Sequence, residues 1–587
     1  MNKRSHPAAV GRFASYAEII SNFSVMPVKY NVNSAAKTKT KTKILVNPGH
    51  IYSFISIFAL SLILSVVIVL FTNNAGFLNS TDPVLISAEY LILWIFLFFI
   101  LFFIKRMKGF DFKKEVDLKN ISEETFKQNK SFKLGILRSA ESSSKKKYPD
   151  VSIGLDERKR FEHLLIISPT GGGKTSRYII PGIAADAGYS GASVFAIDID
   201  SPFLYESVKN DWIKAGKKVV LFDPYEEGKK VYFNPLIGKD KQPLPDDKLL
   251  NLSAMLFHID KNEIKGGDVH AHKYYSKRSE DLFYACLLYL KYRYGAKHFD
   301  LFTIKSFFER GVKFIEGEIL KFNGENYKKI KNLFNNFLEL PVYERAKIVT
   351  DVLNNLDFLN DSKVGSRFKC REGEGGGGVD GEYCFFAEDF FAEDTLFIAG
   401  IPKEKINSGG GRLISFITQI FIDEIYECRR KALREESKNN FNRSFFMYLD
   451  EFPALTLNDF DTELANLRKT NTGVCLTVQD AAFLKDRYGD ISLITSNIGT
   501  HIVMGHAGWE TCKYYSEMSG ERYVLHKELL KKRLNPALDP WTLSSDFNET
   551  PVASGLYPLI SPDELKNMDR NSVFIWTKYV NPFILNL

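Results

Sequence analysis

The residues best suited to chemistry begin with a glycine-rich turn. Residues 168–175 read Ser-Pro-Thr-Gly-Gly-Gly-Lys-Thr and depart from the phosphate-loop pattern G-x-x-x-x-G-K-[ST] only at Ser168. In such a loop, backbone N–H groups surround phosphate oxygens at a helix N-terminus. Lys174 should reach the β- and γ-phosphates, and the Thr175 hydroxyl should bind Mg²⁺. The predicted nucleotide-binding residues are therefore Ser168, Pro169, Thr170, Gly171, Gly172, Gly173, Lys174 and Thr175.

A second candidate is a pair of adjacent acids after an apolar run. Residues 445–455 read Phe-Phe-Met-Tyr-Leu-Asp-Glu-Phe-Pro-Ala-Leu. Asp450 can hold the Mg²⁺ shell, and Glu451 can orient or deprotonate an attacking water. Alone, a strand ending in two acids could simply carry solvated carboxylates. Downstream of a phosphate loop in the same strand–helix domain, the pair indicates nucleotide hydrolysis.

Two further polar residues follow in the same region. Gln479 ends the apolar run 473–479, where it could sense the γ-phosphate or form an ordinary hydrogen bond at a strand end. Arg468 precedes that run, on a predicted helix. It could reach a neighbouring subunit's nucleotide, or it could be a surface arginine. The residues alone leave both alternatives open.

Composition sets broad limits on the 587-residue chain, which is 45% hydrophobic and 25% charged. These values favour several domains with real cores. The net charge of +7 permits an anionic partner without proving one. The cysteines lack a C-x-x-C pair, which favours buried free thiols over a zinc site or a disulfide framework; they are Cys286, Cys370, Cys384, Cys428, Cys475 and Cys512.

Two apolar runs near the N-terminus predict a membrane hairpin. Residues 51–72 contain no charged side chain, and residues 84–104 contain one, Glu89. Each is long enough to cross a hydrocarbon core about 30 Å thick as a helix. Lysines and arginines flank the pair on the outside, while residues 73–83 between the runs have none. The positive-inside rule therefore predicts that both chain termini are cytoplasmic.

The remaining patterns predict the domain order. Apolar strands alternate with helices around the motifs, which predicts a parallel sheet covered on both faces. The predicted domains are a basic N-terminal segment (1–50), the transmembrane hairpin (51–104), a juxtamembrane linker lying on lipid or in solvent (105–150), the first part of the nucleotide-binding domain (151–245), an all-α insertion (246–365), a glycine-rich flexible loop (366–394) and the second part of the nucleotide-binding domain (395–587).

Together these motifs resemble the type IV secretion coupling proteins, the TraG/TraD-like ATPases of conjugation and effector export. The resemblance extends over roughly residues 50–587. In that family the loop commonly begins Ala/Gly/Ser-Pro-Thr, so Ser168 fits the family pattern. The matching stretches are the two apolar runs, 168–175, Phe233–Leu236, Leu449–Leu455, Val478–Gly489 and Tyr557–Glu564.

The resemblance implies an α/β fold: a RecA-like P-loop NTPase domain with a parallel-rich sheet, an inserted all-α domain and two transmembrane helices in the bacterial inner membrane. It implies ATP and Mg²⁺ as cofactors. Among the catalytic residues Lys174, Glu451, Arg468 and Gln479, it makes Arg468 the trans-acting arginine and Gln479 the polar sensor. Asn497 falls in the family's asparagine position. The implied partners are further copies in a hexamer, secretion-channel components, a single-stranded DNA–relaxase complex or protein effectors, and membrane lipid.

One element departs from the family. Members usually follow the strand after the P-loop with Asp-x-Lys-Gly-Glu, whereas residues 198–202 read Asp-Ile-Asp-Ser-Pro. Of the family's residues at this element, only the aspartate, Asp198, is present.

Two alternatives to an export motor also stand: a non-catalytic ATP-binding substrate receptor, and a DNA pump of the chromosome-segregation type. The carboxylate of Glu451 argues against the non-catalytic receptor. The Leu-Asp-Glu-Phe-Pro-Ala-Leu stretch argues against the DNA pump.

Overall fold

The structure is a computed structural model. It describes residues 16–27, 127–137, 150–226, 231–257, 269–324, 326–369, 383–434, 443–457, 459–526 and 553–587. The strands of these ranges are β1 (Ser24–Pro27), β2 (Phe132–Leu137), β3 (Val151–Leu155), β4 (Leu164–Ile167), β5 (Ala192–Asp198), β6 (Lys218–Phe222), β7 (Val231–Tyr232), β8 (Tyr383–Cys384), β9 (Thr395–Gly400), β10 (Ser444–Leu449), β11 (Thr472–Val478), β12 (Thr500–Met504), β13 (Glu521–His526), β14 (Ala553–Pro558), β15 (Ser572–Thr577) and β16 (Phe583–Asn586).

The helices of the described residues are α1 (Tyr16–Asn22), α2 (Glu157–Arg160), α3 (Ile180–Asp186), α4 (Phe203–Lys214), α5 (Asp246–Leu256), α6 (Val269–Tyr294), α7 (Leu301–Glu309), α8 (Val312–Lys321), α9 (Tyr327–Leu338), α10 (Val342–Asn355), α11 (Ser362–Arg367), α12 (Asp389–Ala392), α13 (Gly411–Arg434), α14 (Phe460–Leu467), α15 (Ala481–Tyr488), α16 (Ile491–Thr495), α17 (Trp509–Met518) and α18 (Pro562–Lys566). Several begin at side-chain caps: Asp480 and Asp490 accept backbone N–H bonds at the starts of α15 and α16.

A twelve-stranded sheet in the order β1-β3-β2-β16-β15-β12-β4-β11-β10-β5-β9-β6 forms the framework. The seven strands from β12 to β6 run parallel. Every residue of β4, β5, β9, β10, β11 and β12 is buried. Such strands are apolar throughout because helices cover both faces. The predicted α/β fold with a parallel-rich sheet is confirmed.

The other half of the sheet is antiparallel and extends into segments for which we predicted no strand. Residues 105–150 read as a lysine-rich linker, yet Phe132–Leu137 forms β2 between β3 and β16. Phe132 and Leu134 are buried. That expectation is wrong over β2, because alternating apolar residues bury one face of a strand. Likewise, within the basic segment 1–50, residues 24–27 pair with β3.

Between β7 and β8 the described chain is helical, from α5 to α11. This stretch corresponds to the predicted all-α insertion. Its long helix α6 packs against α5, α9 and α10. The aromatic core continues into the sheet, where Phe368 lies 5.8 Å from Phe222 of β6 between ring centroids. The insertion therefore rests on the β6 side of the parallel strands.

Some predictions fall outside the described residues. They are the transmembrane helices over 51–72 and 84–104 and residues 370–382 of the predicted glycine-rich loop 366–394. The prediction of a flexible loop is wrong over 383–394, because β8 pairs with β7 and α12 follows it. Among the helices that the structure does describe, none combines the length and the apolar character required to span a bilayer.

Candidate nucleotide site

Three neighbouring parallel strands bring the predicted residues to one edge of the sheet. Strand β11 lies between β4 and β10. The P-loop follows β4, the two acids follow β10, and Gln479 follows β11. Ligands of open parallel sheets bind outside the carboxyl ends of the strands. The strand order thus assembles residues that are far apart in sequence.

The P-loop curls tightly after β4. Its start is tied to β11, because the Ser168 N–H donates to the Val478 carbonyl at 3.0 Å. The Gly172 N–H closes a turn onto the Pro169 carbonyl at 2.9 Å. Gly171 and Gly173 have φ of +74° and +91°, which side-chain-bearing residues rarely adopt. Helical backbone begins at Lys174 and continues through a π-helical turn, Thr175–Ile179, into α3. A helix N-terminus therefore faces the loop, as phosphate binding requires.

Lys174 is buried and forms an ion pair with Glu451. The Lys174 Nζ and Glu451 Oε1 atoms lie 2.5 Å apart. The side chains are 9% and 31% exposed, so the lysine is shielded while the carboxylate faces the open side. The P-loop cation and the candidate base are thus in direct contact.

Asp450 accepts hydrogen bonds from two hydroxyl groups. Thr175 Oγ1 donates to Asp450 Oδ2 at 2.8 Å. Thr477 on β11 donates to the other oxygen, Oδ1. A carboxylate and a hydroxyl at this separation are suitable oxygen ligands for Mg²⁺. No group of three or more His, Cys, Asp or Glu side chains suited to a metal occurs in the described part of the chain. Mg²⁺ here would use Thr175 and Asp450, with phosphate and water oxygens completing its shell.

Glu451 occupies a left-handed backbone conformation, with φ 50° and ψ 46°. For a non-glycine residue this costs about 1 kcal/mol or more. Two bonds hold it: the Glu451 N–H contacts Thr477 Oγ1 and Asp450 Oδ1, both at 3.1 Å. This turn directs the carboxylate toward Lys174. Thr477 therefore supports both acids, and we did not single it out from the sequence.

Gln479 joins the P-loop to Glu451. Its amide nitrogen lies 3.2 Å from each Glu451 carboxylate oxygen. Its amide oxygen accepts a hydrogen bond from Thr170 Oγ1 at 3.1 Å. The structure thus brings Gln479 into the same cluster as Lys174, Thr175, Asp450 and Glu451.

Arg468 lies elsewhere. It follows α14 and precedes β11, so it is at the amino end of the strand whose carboxyl end carries Gln479. Its side chain is 54% exposed and pairs with Glu162 at 3.1 Å. Asn497 lies at the same edge, before β12, and donates to the Asp461 and Leu493 carbonyls. Neither residue belongs to the cluster around Lys174 in one copy of the chain.

Residues 198–202, which depart from the family pattern, form a turn after β5 that is held by the Asp198 side chain. The Asp198 carboxylate accepts from the backbone N–H groups of Asp200, at 3.1 Å, and Leu204, at 2.8 Å. Burial raises the pKa of Asp198 to about 6, against the opposing effect of these bonds. Asp198 therefore fixes the start of α4.

We also did not single out Arg177 from the sequence, although it lies one helical turn after Lys174. It donates to the Arg570 carbonyl at 2.8 Å and to Asn571 Oδ1 at 3.2 Å. The guanidinium thereby joins the P-loop helix to the segment before β15. Its only sequence signal is a basic residue next to the motif.

Two family models match the chain. One, described as "Type IV secretory system Conjugative DNA transfer", matches residues 117–355. The other, described as "TraM recognition site of TraD and TraG", matches residues 444–570. No curated protein matches the chain in sequence.

Solved structures share the fold. "Bacterial conjugative coupling protein TrwBdeltaN70", in an unbound form, is 14% identical, with 74% of this chain and 86% of that chain covered and a TM-score of 0.51. "Plasmid coupling protein TrwB in complex with the non-hydrolysable GTP analogue GDPNP" is also 14% identical, with 74% and 87% covered and a TM-score of 0.50. At this identity the likeness is one of fold.

The two matched regions divide the nucleotide site between them. The first contains the P-loop, and the second contains the two acids, Thr477 and Gln479. The resemblance drawn from the motifs is therefore confirmed: the chain belongs to the TraG/TraD-like type IV secretion coupling proteins, a family of conjugative DNA transfer.

Proposed function

We propose that the chain is an ATPase motor that recruits a substrate in the cytoplasm and passes it to a type IV secretion channel. The observation that carries this is the convergence of Lys174, Thr175, Asp450, Glu451 and Gln479 at one sheet edge. This set contains a phosphate-binding cation, oxygen ligands for Mg²⁺ and a carboxylate base. Those are the parts that nucleotide hydrolysis requires.

The roles follow from the contacts. Lys174 exchanges Glu451 for the β- and γ-phosphates of ATP. Glu451, released from the ion pair, then orients a water and accepts its proton. Gln479 contacts both the P-loop and Glu451, so it positions the carboxylate for that water. Mg²⁺ held by Thr175 and Asp450 would neutralise charge on the phosphates.

We further propose that hydrolysis needs a ring, with six copies as the family resemblance implies. Arg468 lies at the opposite sheet edge from the P-loop of its own chain and is more than half exposed. An arginine that contributes to hydrolysis from there acts on a neighbouring copy's nucleotide.

The proposal also covers how the chain is anchored in the membrane and which partners it binds. The apolar runs over 51–72 and 84–104 would anchor the chain in the bacterial inner membrane, with both termini cytoplasmic. The lysines that flank them would contact anionic lipid. The substrate is a single-stranded DNA–relaxase complex or a protein effector. Residues 444–570 are the candidate contact for a TraM-like partner, from the family description of that region.

The test combines two readouts. Purified protein should hydrolyse ATP more strongly as its concentration rises and copies assemble, and Lys174→Ala should abolish both hydrolysis and substrate transfer in cells. Lys209→Ala, a change in a partly exposed lysine of α4 that pairs with Glu206 of the same helix, is the control that should leave both unchanged. Transfer by Lys174→Ala at the wild-type rate would overturn the motor. Retained transfer with Glu451→Gln would instead favour the non-catalytic receptor.

A further inference from the structure

The edge of the sheet that carries Arg468 contains a second organised cluster. Four adjacent strands, in the order β15-β12-β4-β11, meet at this edge. Strands β12, β4 and β11 begin there, and β15 ends there. Glu162 precedes β4, Gly499 precedes β12, and Arg468 precedes β11. Lys578 follows β15, which runs antiparallel to β12. Residues from four separate parts of the chain therefore lie together, at the far end of the strand that carries the P-loop.

The backbone of Glu162 is fixed by two hydrogen bonds. Its carbonyl accepts a hydrogen bond from the Gly499 N–H, and its own N–H donates to the Lys159 carbonyl at 3.1 Å. A Cβ on residue 499 would approach the Glu162 Cβ to 2.8 Å, so the close approach requires glycine there. The Glu162 side chain is only 20% exposed. A carboxylate on such a fixed base can restrict the side chain with which it pairs.

The next residue, His163, fixes the backbone that carries Arg468. The buried imidazole donates from Nε2 to the Leu464 carbonyl at 2.7 Å and accepts at Nδ1 from the Val474 N–H at 3.1 Å. This arrangement assigns the neutral tautomer, and burial lowers the pKa of His163 to about 4. The Leu464 carbonyl also accepts from the Arg468 backbone N–H. One carbonyl of α14 thus connects His163 to Arg468.

We propose that Glu162 and His163 form a clamp that orients Arg468, and that Glu162 is a positioning residue for hydrolysis at the neighbouring copy. His163 fixes the backbone, and Glu162 fixes the guanidinium through the 3.1 Å contact. The inference rests on the proposed function, because it assigns Arg468 to a neighbour's nucleotide. An arginine with a 54% exposed side chain would otherwise sample many rotamers.

The clamp also gives β4 a role at both ends. Its amino end follows His163, and its carboxyl end leads into Ser168. The strand is four residues long and wholly buried. The strand therefore directly connects the P-loop to the residues that hold the arginine.

The test measures ATP hydrolysis of the assembled full chain. Arg468→Ala should reduce kcat by at least about 100-fold. Glu162→Gln should reduce kcat by about 3- to 5-fold with an unchanged KM, the size of effect expected for an exposed ion pair. Glu162→Gln should have no further effect in the Arg468→Ala background. Glu427→Gln is the matched control, since it breaks a Glu–Arg pair with similar exposure, 18% and 53%, on α13.

Two outcomes would overturn the clamp while leaving the motor intact. Glu162→Gln could behave like Glu427→Gln, or it could reduce the rate by the same factor with and without Arg468. The second comparison also covers a loss of folding, because a general structural defect lowers the rate in both backgrounds. If the wild type hydrolyses no ATP, the proposed function and the clamp both fail. Retention of the full rate by Arg468→Ala would remove the trans-acting role of Arg468 and, with it, the clamp.

Discussion

The Ser168 hydroxyl oxygen lies 2.2 Å from the position that a Cβ on Gly172 would take. The serine at the first P-loop position therefore occupies space left by the missing side chain at the fifth. Its hydroxyl is directed inward, with the Pro169 carbonyl 3.3 Å away. The departure from the usual pattern is a packing relationship between these two positions.

Gly172→Ala should weaken nucleotide binding by about 10- to 100-fold, because the added methyl group overpacks the loop. Ser168→Gly alone should bind normally, and the double variant should recover most of the loss. Gly171→Ala is the control: its Cβ would meet nothing within 4 Å, but φ of +74° strains it. Its loss should not be rescued by Ser168→Gly. Titration of a fluorescent ATP analogue measures binding by all five variants, the two double variants included. Equal losses for Gly172→Ala and its double variant with Ser168→Gly would contradict the packing relationship.

Glu451→Gln should lower kcat by about 10²- to 10⁴-fold, because the amide cannot accept the water's proton. Binding of a non-hydrolysable ATP analogue should tighten, since Lys174 loses its competing carboxylate and the phosphates lose a nearby negative charge. Single-turnover hydrolysis and equilibrium binding separate the two effects. Weaker binding with unchanged kcat would show that Glu451 serves only to hold the loop.

Thr477→Val should reduce kcat by about 10-fold and raise the Mg²⁺ concentration needed for half-maximal activity. The change removes the donor to Asp450 and the acceptor for the Glu451 N–H, leaving both acids less constrained. Thr477→Ser keeps the hydroxyl and should retain most of the activity. A serine variant as impaired as the valine variant would assign the effect to packing of the β-branched side chain instead.

Two buried histidines predict loss of stability in acid. Burial lowers the pKa of both His163 and His501 to about 4, below the ordinary value of 6.5. The unfolded chain therefore binds more protons between these values, so stability is complete above pH 6.5 and falls as the pH drops toward 4. At pH 5 each histidine should cost about 2 kcal/mol of unfolding free energy.

Urea unfolding at pH 7.5 and pH 5 measures this dependence. His501→Gln should lose less stability than the wild type over that interval. The buried Asp198, whose pKa is raised to about 6, acts in the opposite direction, because its neutral form is favoured as the pH falls. A His501→Gln variant with the wild-type pH dependence would exclude this histidine as a source of the loss.

Much of the site could be predicted because each motif is local. The P-loop and the Asp450–Glu451 pair are continuous stretches whose residue types define their chemistry. The parallel-rich sheet could also be predicted, because apolar runs alternate with helices around the motifs. Thr477 could have been added, since it stands two positions before Gln479 and strand residues with that spacing share a face.

The contacts between motifs could not be predicted in the same way. Lys174 and Glu451 are 277 positions apart, and they meet only because β11 lies between β4 and β10. Strand order depends on long-range pairing that no local pattern encodes. The strand β2 was missed for a different reason. Lysine-rich neighbours hide its short alternation, and the strand is stabilised by pairing with β3 and with β16, which is distant in sequence.

The pairing of β1 with β3 has a consequence for membrane topology. Residues 24–27 come before the predicted hairpin and residues 151–155 come after it, yet they are adjacent strands of one sheet. The chain must therefore return to the side from which it left, and any crossings between them must be even in number. This parity is independent of hydropathy and of flanking charge. Reporter fusions after residues 27 and 126 should accordingly report the same compartment.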